Sequence, residues 1–230
     1  MFKKIISFLL LTYLTNCTNS ALISSSNFSL DRKSAIIITR EKPVFLAVIP
    51  KNMSALYPGT KEIGKTIVKE NEIADPIDLI IADLSNDIEV KYNGKIVGKK
   101  LEESDVYKKL YAKNEKAALE EKELNKISSK YHRRADYALD IRTVKWGFIF
   151  LPFDTKEYSI IYHLNLRLID LNSGKVVLEK TCPADNFSTN HYTYEMLLAN
   201  KAKLLKVEFK KVANYCSSEF RNAIFDLKNR

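Results

Sequence analysis

The sequence of 230 residues contains few residues that interrupt helices and strands, with 6 glycines and 6 prolines, and few that can cross-link the chain, with 3 cysteines. It has 1 tryptophan. This scarcity of glycine and proline excludes a collagen-like chain and a low-complexity chain rich in those residues. Disorder along most of the length is excluded as well, because 46 % of the residues are hydrophobic. We therefore expect a folded protein with a packed core.

The common motifs of catalysis and cofactor binding are also absent. No G-x-S-x-G nucleophile elbow, phosphate-binding loop, dinucleotide-binding glycine motif, H-E-x-x-H helix or C-x-x-C pair occurs. The histidines His132, His163 and His191 lie beside arginines, on a polar strand face and at a helix start, which favours surface positions over ligand roles. We therefore expect no enzyme, no cofactor and no metal site.

Two acidic residues, Asp136 and Asp140, share one face of a predicted strand. Four residues of strand separate their side chains by about 13 Å. This distance exceeds the roughly 5 to 9.5 Å between the carboxyl groups of a glycosidase pair. We therefore predict that both are solvent-side charges opposite Lys or Arg.

The first residues have the pattern of an export signal. A basic start at Lys3 and Lys4 precedes an apolar run over 5–14. This run is too short to cross a bilayer of about 30 Å as a permanent helix. It predicts a signal peptide over 1–16, the alternative being a buried N-terminal helix.

Cys17 closes this run, and the segment 14–17 (Leu-Thr-Asn-Cys) resembles the lipobox of bacterial lipoproteins. The resemblance implies acylation of Cys17 by chains such as palmitate, and Thr18 after it implies sorting to the outer membrane. Asn16 departs from the usual Gly, Ala or Ser, and the alternative is ordinary cleavage that releases a soluble periplasmic protein. A lipidated N-terminus and flexible tether are predicted over 17–33, and one domain over 34–230.

Acylation of Cys17 leaves two cysteines, Cys182 and Cys216, in the folded domain. An oxidising periplasm allows them to form a disulfide, which would stabilise the domain by roughly 3 kcal/mol in the chain-entropy treatment. The alternative is two separate buried thiols.

Basic residues outnumber acidic ones by 37 to 28, a formal net charge of +9 that falls to +7 when Lys3 and Lys4 are lost with the signal peptide. The excess is spread along the chain without an Arg-rich tract, so solvated helix faces explain most of these lysines. Nucleic acid is not expected as a partner.

Hydrophobic periodicity predicts an α/β (α+β) fold with an antiparallel-rich mixed sheet covered by helices. Strands are predicted over 34–40, 44–50, 135–148, 158–168 and 175–181, with a β-bulge near Thr143. Asn93-Gly94 predicts a hairpin over 88–97. Helices are predicted over 60–71, from Asp75-Pro76 onwards, over 102–130, and from Leu198 to the C-terminus. The last is one long amphipathic helix or two helices broken near Ser217-Ser218.

The segment 146–153 is rich in aromatic residues and includes Trp146, Phe148, Phe150 and Phe153. An exposed apolar loop here would mark a possible protein interface. The equally favoured alternative is a strand end buried under the C-terminal helix.

The segments 134–141 (RADYALDI) and 162–178 (YHLNLRLIDLNSGKVVL) resemble envelope lipoproteins of the curli-secretion and penicillin-binding-protein-activator type. In that family, an A-D-Y strand precedes a hairpin with a D-x-x-[ST]-G-K turn. The resemblance implies a compact α/β domain, although Leu178 stands where the family often has an aromatic residue.

Together these features predict a non-catalytic lipoprotein of the bacterial envelope. We expect it to face the periplasm from the outer membrane and to act through protein–protein contacts, as an accessory or structural component of an envelope complex. The alternative function is a periplasmic binding module for an anionic ligand or polymer.

Overall fold

The computed structural model describes residues 21–22, 29–50, 58–104, 113–151, 154–184 and 192–228. The predicted signal peptide, Cys17, Phe153 and His191 lie outside these residues.

A mixed sheet of eight strands forms the centre of the described structure. The strands are β1 (Ala21–Leu22), β2 (Ser34–Thr39), β3 (Leu46–Val48), β4 (Lys95–Leu101), β5 (Tyr137–Leu151), β6 (Asp154–Asp170), β7 (Lys175–Pro183) and β8 (Tyr192–Thr193). Their order is β1-β7-β6-β5-β2-β4, with β3 beside β5 and β8 beside β6. Strands β5, β6 and β7 form an antiparallel meander, whereas β2 is parallel to both β4 and β5.

Helices cover both faces of this sheet. They are α1 (Pro58–Asn71), α2 (Ile77–Lys91), α3 (Lys113–Tyr131) and α4 (Tyr194–Lys228). Helices α1, α2 and α4 contribute to the larger core, and α3 covers a smaller core on the opposite face. The predicted fold class is confirmed. Within the described residues, no helix combines the length and the apolar character needed to cross a membrane.

Strand alternation divides the side chains between the two cores. Leu139 and Ile141 of β5 and Leu166 of β6 face the larger core. Ala138 and Ile169, on the opposite face of the same strands, pack under α3. Because α3 covers that face, β6 is buried on both sides where the sequence pattern predicted one solvated side: Asn165 is 7 % and Arg167 3 % exposed.

The hairpin predicted over 88–97 is wrong, because α2 continues to Lys91. The Asp75 carboxylate accepts a hydrogen bond from the Ile77 backbone N–H at 2.9 Å, which fixes the predicted start of this helix. Asn93 has a φ of 49° and turns the chain into β4. Asn93-Gly94 therefore follows the end of a helix here. The helical spacing of the apolar residues before it continues to Ile88, which is buried.

Helix α4 is interrupted near its start, and of the two forms expected for the C-terminal segment, the one with a break near Ser217-Ser218 does not occur. The backbone of Ala199 is extended, and Asn200, Lys201 and Ala202 have φ values of 52°, 56° and 55°. Helical geometry resumes at residue 203 and runs past Ser217, whose side chain is buried.

The packed domain begins earlier than residue 34, so the tether predicted over 17–33 is too long. Leu30 is 2 % exposed and belongs to the larger core. The Arg32 backbone N–H donates to the Tyr92 carbonyl at 2.9 Å. Further upstream, β1 pairs antiparallel with β7, with Ala21 opposite Glu179 and Leu22 opposite Leu178. The Ser- and Asn-rich composition did not reveal these attachments.

Strand β4 lies at the end of the strand order and pairs with β2 alone among the described strands. The register shifts between Ala35 and Ile36 of β2, which marks a bulge at Val97 of β4. Lysines occupy three of its positions, Lys95, Lys99 and Lys100.

The bulge predicted near Thr143 is confirmed by a register shift between Thr143 and Lys145. Beyond it, β3 approaches β5 so closely that Leu46 faces Gly147 in the register. A Cβ at Gly147 would lie 1.9 Å from the Leu46 carbonyl oxygen, whereas a Cβ at Gly98 of β4 would meet nothing within 4 Å.

These two glycines form a matched pair for substitution, because both have a positive φ, 144° at Gly147 and 155° at Gly98. We expect Gly147→Ala to lower the free energy of unfolding by at least about 2 kcal/mol more than Gly98→Ala, because it adds a backbone clash to the shared conformational strain. Urea denaturation of the two variants measures the difference. Equal losses would contradict the close approach of β3 and β5.

Candidate functional site

Four charged side chains lie between the sheet and helix α3. They are Arg40 at the end of β2, Asp140 of β5, Arg167 of β6 and Glu123 of α3, and we call them the buried charge cluster. Their exposed fractions are 6 %, 3 %, 3 % and 8 %. Glu123 lies four residues before Ile127 and eight before Tyr131, so the stripe of α3 that contacts the smaller core continues into this cluster.

The cluster is joined by charge-assisted hydrogen bonds. Arg40 Nε donates to Asp140 Oδ1 at 2.7 Å, and its Nη2 donates to Asp140 Oδ2 at 2.8 Å and to Glu123 Oε1 at 2.9 Å. Arg167 Nη2 donates to Glu123 Oε1 at 2.7 Å and to Asp140 Oδ2. The Ser104 hydroxyl donates to the other Glu123 oxygen. Each carboxylate therefore contacts both guanidinium groups.

Two positive and two negative charges make the cluster neutral. Burial by itself raises the pKa of Asp140, but hydrogen bonds and charges from Arg40 and Arg167 outweigh it and hold that pKa below its ordinary value. Burial likewise lowers the pKa of Arg40, and the Asp140 carboxylate more than restores it. Asp140 and Arg40 are thereby held in their charged forms, and the arrangement holds α3 on the sheet.

Asp140 is thus a correction to the sequence analysis, which placed it on the solvent side. Its basic partners were correctly expected, but helix α3 covers them. Asp136 is closer to the prediction: its carboxylate is partly exposed, lies 3.5 Å from Lys33 Nζ and accepts hydrogen bonds from Ser34. Sequence reasoning did not identify Arg40, Glu123 and Ser104 as one group. One signal for Arg40 was present. It directly follows β2 and is two residues after Ile38, so its side chain lies on the same face as Ile36 and Ile38.

A cleft of about 350 Å³ opens beside the buried charge cluster. Its walls come from the chain after β2, the chain after β4 and the bulge of β5. They contain Arg40, Glu41, Lys42, Pro43, Glu103, Ser104, Arg142, Thr143 and Val144. Lys42 Nζ also donates to Asp78 of α2 at 3.0 Å. Basic groups from separate elements converge on this concave surface.

A second buried polar group lies in the larger core. The Tyr162 hydroxyl donates to Asp75 Oδ1 at 3.2 Å and lies 3.4 Å from the Thr143 hydroxyl. Burial raises the pKa of Asp75, and burial followed by the nearby Asp75 charge raises the pKa of Tyr162. Since Asp75 also receives the Ile77 N–H, these contacts join the start of α2 to the β5 bulge.

The predicted disulfide between Cys182 and Cys216 is formed, with the two Cα atoms 5.7 Å apart. It joins the end of β7 to α4, and both cysteines are buried. Lys180 Nζ lies 3.3 Å from a Glu219 carboxylate oxygen and adds an ion pair between the same two elements. The expected inward position of Cys216 on the C-terminal helix is therefore correct.

The possible interface of Trp146, Phe148 and Phe150 is wrong, because their side chains are 5 %, 0 % and 8 % exposed. Trp146 Nε1 donates to the Pro43 carbonyl at 2.8 Å. The ring of Phe45 packs edge-on against Trp146 and Phe148, with centroids 4.9 and 5.7 Å apart. These aromatic residues form part of the core under α4, which is the alternative that the sequence analysis left open.

Two of the histidines lie in the described chain. His132 is exposed, with its Nδ1 3.0 Å from the Ser128 carbonyl, and His163 of β6 is half-buried opposite Lys145 and Pro183. Among the described residues, no cluster of three or more His, Cys, Asp or Glu side chains has the arrangement of a metal site.

The sequence matches no protein-family model and no curated protein. Solved structures with a similar arrangement include a PelC dodecamer from Paraburkholderia phytofirmans, at 14 % identity and a TM-score of 0.32, covering 84 % of this chain and 94 % of that one. A putative neuraminyllactose-binding hemagglutinin homolog from Helicobacter pylori is 12 % identical with a TM-score of 0.36, covering 90 % and 97 %. Lipoprotein GNA1162 from Neisseria meningitidis is 13 % identical with a TM-score of 0.30, covering 79 % and 99 %.

Similarity at this level assigns neither a family nor a function. None of these three is described as a curli-secretion protein or a penicillin-binding-protein activator, so that resemblance stays a prediction.

Substitution of Asp140 tests the buried charge cluster. Asp140→Asn leaves two buried guanidinium groups facing one carboxylate, and we expect it to lower the free energy of unfolding by about 3–5 kcal/mol. Asp136→Asn, which removes a partly exposed carboxylate just before the same strand, should cost about 1 kcal/mol or less. Urea denaturation at neutral pH distinguishes the two, and similar losses would contradict a structural role for the cluster.

The same variant has a second readout in its acid dependence. Because the pKa of Asp140 is lower in the folded chain than in the unfolded chain, its stabilising effect is complete above the unfolded value of about 3.9 and is lost as the pH falls through the folded value. The unfolding free energy of the wild-type chain should therefore fall more steeply below about pH 4 than that of Asp140→Asn.

Proposed function

We propose that this chain is a non-catalytic lipoprotein of the bacterial envelope. It is acylated at Cys17 and faces the periplasm from the outer membrane. It acts through protein–protein contacts, as an accessory or structural component of an envelope complex.

The observation that carries the proposal is the Cys182–Cys216 disulfide. Disulfides form and persist in oxidising compartments such as the periplasm and are rare in the cytosol. The bond is buried between β7 and α4, where it links the sheet to the longest helix. An exported address agrees with the basic start, the short apolar run and the lipobox-like segment before Cys17.

The attachment of the chain after Cys17 supports the membrane part of the proposal. Strand β1 begins at Ala21, so residues 18–20 alone separate it from the cysteine. A fully extended chain spans at most about 14 Å over these four steps. An acylated Cys17 would therefore hold the sheet edge formed by β1 and β7 close to the lipid headgroups.

The buried charged groups support a contact role over a catalytic one. Asp140 and Glu123 are committed to Arg40 and Arg167, and the neutral cluster serves to attach α3. Strongly paired charges of this kind perturb pKa values for structural reasons.

Replacement of Cys17 tests the anchor. The wild-type protein should incorporate an alkyne analogue of palmitate and stay with membranes through a high-salt wash, which removes electrostatic binding, whereas Cys17→Ser should do neither, because the acceptor thiol is lost. The double variant Cys182→Ser/Cys216→Ser is the control and should keep the label. Membrane association and labelling of Cys17→Ser equal to wild type would remove the anchor from the proposal. Cross-linking in membranes should then capture a discrete partner with wild type and lose it with Cys17→Ser.

A second candidate function is binding of an anionic ligand, and the cleft beside the buried charge cluster favours it. Lys42 and Arg142 converge there from two elements, and both carry N–H groups that can donate to an anion. Glu41 and Glu103 in the same walls reduce the positive charge, so this function ranks second.

Inorganic pyrophosphate is a suitable probe of the cleft. If the cleft binds anions, pyrophosphate should raise the melting temperature of the wild-type chain, since a ligand that binds the folded state stabilises it. Arg142→Ala should abolish the rise, and Arg133→Ala, at an exposed position away from the cleft, should preserve it. An unchanged rise in Arg142→Ala, or no rise in wild type, would contradict this second function.

A further inference from the structure

Three lysines lie along the outer face of α4 after its break. Lys203, Lys206 and Lys210, which we call the lysine row, are spaced by three and four residues and therefore project from one side of the helix. Val207 lies among them and is 45 % exposed. Together with Asn200 and Lys201, they line a shallow depression of about 370 Å³ on the surface. Composition alone predicts lysines spread over solvated helix faces, whereas these three lie together on one side of α4.

No carboxylate neutralises this face within the described part of the chain. The nearest acidic residue along the helix, Glu208, is 2 % exposed and is paired with Lys211 at 2.6 Å. Lys201, beside the row, lies 3.8 Å from Glu72, but no ion pair in the described structure involves Lys203, Lys206 or Lys210. The row therefore presents a concentrated positive charge to solvent.

Folding stability does not account for these lysines. Helical geometry resumes at residue 203, so Lys203 and Lys206 lie in the first turn of a helical segment. Cations are unfavourable there, because the helix dipole is positive at that end. Because the helix dipole disfavours these lysines, we infer that they bind an anionic partner outside the chain.

The position of α4 relative to Cys17 indicates which partner this is. The chain from Cys17 enters the sheet beside β7, and the disulfide joins β7 to α4 at Cys216. Lys210 precedes Cys216 by six residues, about 9 Å along the helix axis. The three-residue linker would thus keep the helix bearing the lysine row next to the bilayer that holds the acyl chains.

We propose that the lysine row docks against anionic phospholipid headgroups of the membrane that anchors Cys17. The ammonium groups contact phosphates, and Val207 enters the boundary between headgroups and acyl chains. The location of the contact rests on the proposed lipid anchor. The affinity for anionic lipid is a property of the row itself, so it is measurable without acylation.

The test uses the full chain with Cys17→Ser, which removes the acylation site. We expect this chain to co-sediment with vesicles that contain phosphatidylglycerol and phosphatidylcholine, and to bind vesicles of phosphatidylcholine alone much more weakly. Each lysine near an anionic surface contributes roughly a fivefold gain in binding. The added substitutions Lys203→Glu, Lys206→Glu and Lys210→Glu should therefore lower binding at least about tenfold, and salt should weaken the binding of the parent chain.

A matched control reverses the same number of charges elsewhere. Lys122 and Lys126 of α3 and the nearby Arg133 are exposed, and α3 covers the opposite face of the sheet. Their replacement by Glu should preserve most of the binding, with unchanged circular dichroism and no loss of melting temperature in either triple variant. Equal losses in the two triple variants, or equal binding to both kinds of vesicle, would overturn the proposal. So would no binding by the parent Cys17→Ser chain. If the labelling experiment showed no acylation of Cys17, the vesicle result would still stand, because the vesicle experiment uses a chain without the acylation site.

Discussion

Burial of the β5–β6 hairpin on both faces is the constraint on which the rest of the structure depends. One face supplies Leu139, Ile141 and Leu166 to the larger core, and the other faces α3. Asp140 and Arg167 are opposite each other in the register, so covering this second face removes both from water. The cost of that desolvation is met by two further charges, Arg40 from the adjacent strand and Glu123 from the covering helix. The position of α3 is therefore set by charge pairing at one end and by apolar packing of Ile127 and Tyr131 at the other.

The opposite face is organised by covalent and aromatic contacts. Phe209 of α4 packs against Phe45, which also contacts Trp146. Further along, the disulfide fixes the same helix to β7. Helix α4 is thereby held at two points on its inner side, which leaves its outer side to the lysine row. The two faces of the sheet thus have different chemistry: a neutral, closed charge cluster on one side and an open row of cations on the other.

The sequence was most informative where a residue pattern reports a local periodicity. The bulge near Thr143, the helix that begins after Asp75-Pro76 and the inward position of Cys216 were predicted because strands and helices impose spacings of two and of three to four residues. Solvent exposure was predicted less well. Asp140 and Arg167 have the alternation of an outward-facing strand side, and nothing local shows that helix α3, which ends at Tyr131, folds back over them. The hairpin prediction at Asn93-Gly94 failed for a related reason. Asn-Gly adopts a positive φ where a helix ends as well as in a hairpin turn. The lysine row and the cleft depend on which elements become neighbours, so composition alone did not identify them.

The outermost strand β4 has a consequence for molecules crowded side by side. An unpaired sheet edge is a template for adding strands from other chains, which leads to aggregation. Here the bulge opposite Ala35 and Ile36 distorts the ladder, and Lys95 and Lys100 bring like charges together whenever two such edges meet. Strand β4 is therefore a poor template for edge-to-edge polymerisation, and the protein can be present at high local density without forming continuous β-fibres through this edge.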